Sequence, residues 1–179
     1  MALRKALAYS KKYARPFTRN SKAKDKAYIK TIPYSKIVKF DGGDRMSWIS
    51  GKNTYNVYLI AEEWAQIRDN ALESGRMHLI KELDLNALGQ YYLLVKVHPH
   101  HFLRENKSAA AVAGADRIST GMTQSYGVVI GRAALVHAGK MIFFISCANE
   151  KVAQAAKHAL QKIRAKMPCK TRIVFEKLK

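Results

Sequence analysis

Hydrophobic positions along the chain follow two periods, and they predict a strand–helix–strand order that occurs twice. Residues 54–60 alternate, with Tyr55, Val57 and Leu59 on one face, and predict a strand. From 61 to 83, Trp64, Ile67, Ala71, Leu72, Gly75, Leu79 and Leu83 fall on one broad stripe at helical spacing. Gly75 costs that helix about 1 kcal/mol against Ala, which points to close packing against a sheet or to a kink. Asn86 and Gly89 punctuate, and 91–97 reads as a buried central strand. In the second half, 132–137 and 141–147 predict a hairpin turning at Ala138-Gly139, with Asn149 as the N-cap of the next helix. That helix, 150–167, carries Val152, Ala156, Ala159, Leu160, Ile163 and Met167 on one face and stops at Pro168. A last strand, 171–176, turns Ile173 and Phe175 inward. Upstream, 35–40 predicts a first strand and Asp41-Gly42-Gly43-Asp44 a turn. The expected fold is α+β: a two-layer sandwich of a mostly antiparallel or mixed sheet with two helices on one face.

The sequence has 179 residues, 20.2 kDa, enough for one domain with an arm, and 48% hydrophobic residues can fill its core. Charge changes the picture, because 32 Lys+Arg against 13 Asp+Glu give +19. Residues 1–40 hold twelve Lys/Arg and one acid, 41–150 hold eleven of each sign, and 151–179 hold nine Lys/Arg and one acid. The middle is neutral and both ends are basic. Such concentration fits counterion-release binding to phosphates; a solvated tail serving solubility alone is the bland alternative. Residues 1–34 form the predicted arm, with Arg4, Lys5, Lys11, Lys12, Arg15, Arg19, Lys22 and Lys24 as its phosphate-binding cations. Tyr9, Tyr13, Phe17 and Tyr28 are interspersed and can stack on unpaired bases, whereas Tyr34 and Phe40 read as anchors to the core. The core is expected over 35–179. Within it, 105–116 has small side chains, weak amphipathicity and no turn signature, the composition of a mobile loop more than of a short helix.

Other classes fall away. The longest apolar runs, such as 141–145, cannot span a bilayer, so no membrane partner is expected. The N-terminus lacks the apolar core of a secretory signal, and two cysteines, Cys147 and Cys169, make no disulfide framework. Both features predict a cytoplasmic protein. His98-Pro99-His100-His101 is the one histidine cluster, with neither cysteine near it in sequence. It predicts a strand end with histidines toward RNA or solvent rather than a metal site. Walker, H-E-x-x-H, C-x-x-C and G-x-S-x-G patterns are missing. No catalytic residue, metal or cofactor is expected.

Three stretches carry a family resemblance: 98–107 (His98-Pro99-His100-His101-Phe102-Leu103-Arg104-Glu105-Asn106-Lys107), Gly114-Ala115-Asp116-Arg117-Ile118-Ser119-Thr120-Gly121-Met122, and Gly131-Arg132-Ala133-Ala134-Leu135-Val136 followed by Gly139-Lys140. The helix stretch 66–73 and the ending Ala165-Lys166-Met167-Pro168 agree. Over about 60–176 the chain resembles the archaeal and eukaryotic form of the large-subunit ribosomal protein sixteen family, in the archaeal group called L-ten-e. The resemblance implies a non-enzymatic α+β protein that binds large-subunit ribosomal RNA where transfer RNA enters, near the peptidyl-transferase centre. It also implies late joining to the particle, with transfer RNA, 5S ribosomal RNA and neighbouring ribosomal proteins as partners and no homo-oligomer. By the same resemblance the 105–116 loop, with Glu105, Asn106, Lys107, Ser108 and Asp116, faces transfer RNA, and Lys107 meets a backbone phosphate. Arg104 and Arg117 at the loop's two hinges, and Arg132 and Lys140 in the third motif, are its implied RNA contacts.

The chain departs from the family at Thr123 and Val128-Val129, where basic and Lys-Pro residues are usual, and at Ala8-Tyr9-Ser10 in place of Cys-Tyr-Arg. RNA contacts are therefore not carried onto 123–129, nor assigned one by one within 1–20. The competing readings are a free-standing nucleic-acid-binding or ribosome-assembly protein, and an RNA-processing enzyme. The first has no use for a small-residue loop between arginine hinges. The second needs a carboxylate pair or nucleophile that the sequence does not assemble.

Overall fold

The computed structural model describes residues 7–10, 32–105 and 128–178, with backbone alone for 7, 8, 104, 105 and 128. In chain order the elements are α1 (Leu7–Ser10), β1 (Asp41–Gly43), α2 (Arg45–Ile49), β2 (Tyr55–Ala61), β3 (Ala65–Arg68), α3 (Asp69–Ala87), β4 (Tyr91–Val95), β5 (His101–Glu105), β6 (Val128–Val136), β7 (Met141–Cys147), α4 (Glu150–Arg164) and β8 (Thr171–Lys177). The architecture is the α+β two-layer sandwich. In place of one sheet it has two: a five-stranded sheet ordered β1-β4-β7-β2-β8 and a three-stranded sheet ordered β3-β6-β5. Every described strand pair is antiparallel. β7, not β4, lies at the middle of the larger sheet.

One core takes side chains from both sheets and both long helices. Val57, Leu59, Leu93, Phe143 and Ile145 line the helix-covered face of the large sheet, while Leu72, Leu79, Leu83, Ala156, Leu160 and Ile163 face them. Burying each such Leu or Ile contributes roughly 1.5–3 kcal/mol. Gly75 packs against the sheet rather than kinking the helix: a Cβ there would lie 2.9 Å from Phe143 Cζ. On the opposite face, α2 is capped by the Asp44 carboxylate, which accepts from the Met46 and Ser47 amides. Trp48 of α2 then stacks on Tyr92, with ring centroids 5.0 Å apart.

Several sequence expectations give way. Residues 35–40 form no strand: the amides of Lys36 and Ile37 donate to the side chains of Asp69 and Ser35 instead of to a ladder. The expected turn is itself the edge strand β1, paired with residues 92–94; at Gly43 (φ 82°) a Cβ would fall 2.3 Å from the Tyr91 carbonyl oxygen. The predicted helix start at 61 is β2's end, a turn and β3, so α3 begins at Asp69. Ala65, Gln66 and Ile67 are all buried, so β3 shows no alternation, and Trp64 is exposed in the turn before it.

The predicted hairpin is absent. β6 pairs with β3 and β5, whereas β7 pairs with β2 and β4, so the 137–140 turn carries the chain from one sheet to the other. Its ends are tied to β2: Gly139 donates to Ala61 (2.8 Å) and Ala61 to Lys140 (2.9 Å). α4 ends at Arg164, before Pro168, and Asn149 precedes it without a side-chain capping bond; its amide reaches Gln90 instead. Phe175 is half-exposed on the edge strand β8, tilted against Tyr55, while Ile173 packs on the core.

Candidate nucleic-acid interface

Of the residues that the sequence marks for RNA, the three-stranded sheet carries Arg132 and the backbone of Arg104 and Glu105. β5 and β6 form a ladder from His101↔Ala133 to Glu105↔Val128, with a bulge between Leu103 and Arg104. The two ends of the segment 106–127 therefore start side by side. Arg104 and Glu105 are the last β5 residues before that segment, with Arg104 in register with Val129. β6 is central because it reads as a long apolar run, Val128–Val136, broken only by Gly131 and Arg132.

The N-terminal arm meets the same sheet twice. At the β3 edge, Gln66 is buried yet satisfied: its side-chain amide donates to the Tyr9 carbonyl at 2.9 Å, and Arg68 sits over the Tyr9 ring at 5.7 Å. Across β6, Arg132 Nε donates to the Pro33 carbonyl at 2.7 Å, and the guanidinium lies 5.5 Å from the centre of the Phe102 ring. Arg132 is thus half-buried in a strap between arm and sheet. Lys140 is exposed, in the turn that joins the two sheets. The other named cations, Arg4, Lys5, Lys11, Lys12, Arg15, Arg19, Lys22, Lys24, Lys107 and Arg117, lie outside the described residues, as do Asn106, Ser108 and Asp116. Of Arg104 and Glu105 the backbone alone is described.

Two features escaped the sequence reading. The first is an aromatic row. Phe40 stacks on His98 (5.0 Å between centroids, 13° between planes), and His98 stands 4.4 Å from His100. Burial, with repulsion from His100 and Arg132, holds the His98 imidazole below the ordinary histidine range. The motif was visible in sequence, but its alignment with Phe40 was not. The second is where the basic C-terminal end puts its cations: Lys151, Lys157, Arg164 and Arg172 are exposed on α4 and β8. Neighbouring Lys162 is engaged by Glu82 at 3.1 Å and Lys166 by Ser74.

Reaction chemistry finds little to work with. Cys147 is fully buried and its thiol is pushed up to about 12; that of Cys169, buried and facing Glu63, is pushed up to about 11. Neither is a thiolate at neutral pH. Among the described residues no group of three or more His, Cys, Asp or Glu could hold a metal ion, and no helix is long and apolar enough to cross a membrane.

A family model described as ribosomal protein L16p/L10e matches residues 14–174. A protein of Staphylothermus marinus named large ribosomal subunit protein uL16 is 41% identical, over 100% of this chain and 97% of the relative. Proteins of the same name from Methanococcus aeolicus and Pyrobaculum calidifontis are each 39% identical, over 99% and 98% of this chain and 96% and 95% of their own lengths.

Proposed function

The chain belongs to the ribosomal protein L16p/L10e family, in its archaeal form, and from that membership we propose which nucleic acids its parts serve. As a member it is a structural, non-enzymatic constituent of the ribosome, and its place is the cytoplasmic ribosome. The proposal is that it binds large-subunit ribosomal RNA near the transfer-RNA entry cleft and the peptidyl-transferase centre. In this reading residues 1–34 are the RNA-binding arm, 35–179 the core, and 105–116 the loop that supports transfer RNA. Arg104, Arg117, Arg132 and Lys140 hold ribosomal RNA around that loop, and 5S ribosomal RNA and neighbouring proteins complete the surroundings.

One observation supports this reading most. The arm's end and the segment's root share one small sheet, through the Pro33–Arg132 bond and the Glu105↔Val128 pair. A polyanion held by the arm is thereby kept beside the segment, which needs no affinity of its own. Sucrose-gradient sedimentation of a cell extract tests the reading: the protein should travel with the large subunit through a moderate-salt wash. Its absence from ribosomal fractions would favour the free-standing nucleic-acid-binding or assembly alternative.

A further inference from the structure

We propose that the ring cluster Phe40–His98–His100, beside the Phe102–Arg132 pair, is a preformed stacking site for unpaired RNA bases. This rests on the ribosomal-RNA reading above and names a contact that acts by stacking rather than by charge.

The row follows from local backbone geometry. β5 begins at His101, and burial alternates through the residues that lead into it, with Val97, Pro99 and Leu103 buried. The i, i+2 alternation then brings His98, His100 and Phe102 to the other side. Phe40 joins them from the neighbouring segment: its carbonyl accepts from the Val95 amide at 2.7 Å, and its ring stacks on His98 at 13°. Phe102 and Arg132 are directly opposite across β5 and β6, and the cation covers the ring. A purely structural stack would be sealed, but His98 and His100 are both exposed.

The chemistry selects the occupant. The Phe40 and His98 rings are already stacked, and His100 stands beside them at 40°, so little freedom is lost when another planar group adds to the cluster. The environment that disfavours protonation of His98 leaves it a neutral face, suited to a base rather than to a phosphate. Bases held within a duplex offer no free face, so unpaired nucleotides are the fitting ligand.

Fluorescence anisotropy of the full chain with single-stranded oligoadenylate, and with an RNA duplex of equal length, across a salt series, tests the site. His98→Ala/His100→Ala should weaken oligoadenylate binding about tenfold, the scale of one lost base–aromatic stack. The log–log salt slope and duplex affinity should stay unchanged, because no phosphate contact is removed. His100→Tyr, which keeps a ring, should bind within about twofold of the parent and shows that the fold is intact. An equal loss on both RNAs, no loss on either, or a shallower slope would overturn the proposal. So would unchanged oligonucleotide binding with lost co-sedimentation, which would assign the row to a protein. Failure of the parent chain to bind any RNA would instead sink the ribosomal-RNA reading.

Discussion

Gly75 of α3 meets the edge of the Phe143 ring of β7 with no room between them for a methyl group. A Cβ at Gly75 would stand 2.9 Å from Phe143 Cζ and 3.3 Å from Met167 Cε. Phe143 is fully buried, so its ring has nowhere to retreat. Gly75→Ala gains about 1 kcal/mol of helix propensity but overpacks the core, at about 1–3 kcal/mol. A net loss near 1 kcal/mol is expected, lowering Tm by roughly 2–4 °C for a chain of this size. A thermal melt in which Gly75→Ala is more stable than the parent would show that α3 can slide off the sheet.

That contact explains which parts of the fold were legible. The stripe Leu72–Gly75–Leu79–Leu83 and its counterpart Val152–Ala156–Leu160–Ile163 bury one face against a sheet, and periodicity records one-sided burial well. β3 left no such trace: buried Gln66 donates to the Tyr9 carbonyl, fifty-seven residues away. The assignment of β6 and β7 to different sheets was equally hidden, since adjacent strands around Ala138-Gly139 carry the pattern of a hairpin either way. At the candidate interface the sequence shows basic composition and motifs but not their arrangement in space. The meeting of the arm with Arg132 of the small sheet depends on contacts such as Pro33–Arg132, at a separation of ninety-nine residues.

The core should fold without its arm. Among the described residues the buried cluster begins at Ile37 and all eight strands follow it. Deleting residues 1–34 removes the Tyr9 acceptor from Gln66 and the Pro33 acceptor from Arg132, and water replaces both. At about 0.5–1.5 kcal/mol per hydrogen bond, the shortened chain should be destabilised by roughly 1–3 kcal/mol. It should still melt in one cooperative step. Loss of any cooperative transition would make the arm part of the core.

Acid should weaken the α3 end of the core through Glu73. Arg76, 93% buried at its side chain, donates to the Glu73 carboxylate at 2.9 Å through Nε. That bond holds the Glu73 carboxyl below its ordinary value, against the opposing effect of burial. A carboxylate lowered on folding contributes stability that is present above its unfolded pKa and lost as pH falls through the folded one. The parent should therefore exceed Glu73→Gln by about 1–2 kcal/mol at neutral pH. The difference should close below about pH 4. A gap that persists in acid would mean that shape, not charge, joins Glu73 to Arg76.

Binding to ribosomal RNA should be strongly salt-dependent. If the basic ends neutralise about eight phosphates, log K should fall with log salt at a slope of about −6 to −7. Replacing Lys11, Lys12, Arg15 and Arg19 with Gln should make that slope shallower by about 3. A filter-binding series in which the slope does not move would make the arm a passenger and shift attention to Lys151, Lys157, Arg164 and Arg172.

The segment between β5 and β6 should act on translation rather than on assembly. Its ends are held by the His101–Glu105 ladder with 128–133, so removing 107–113 still leaves fifteen residues to join neighbouring strand ends. Such a connection closes without straining the sheet, since loop-closure entropy changes slowly with length. Within 106–116 the ionised groups are Lys107 and Asp116, among residues that are mostly small. That composition adds little counterion release to the affinity for resident RNA. It allows close approach to a passing RNA backbone, with Lys107 as the attractive charge. Deleting 107–113 should leave incorporation into the large subunit largely intact while slowing peptide synthesis and weakening transfer-RNA binding. A Gly/Ser replacement of equal length separates chemistry from span: it should be as defective as the deletion, and restoring Lys107 within it should recover part of the activity. Full translation by the Gly/Ser chain without Lys107 would reduce the segment to a spacer and defeat this reading.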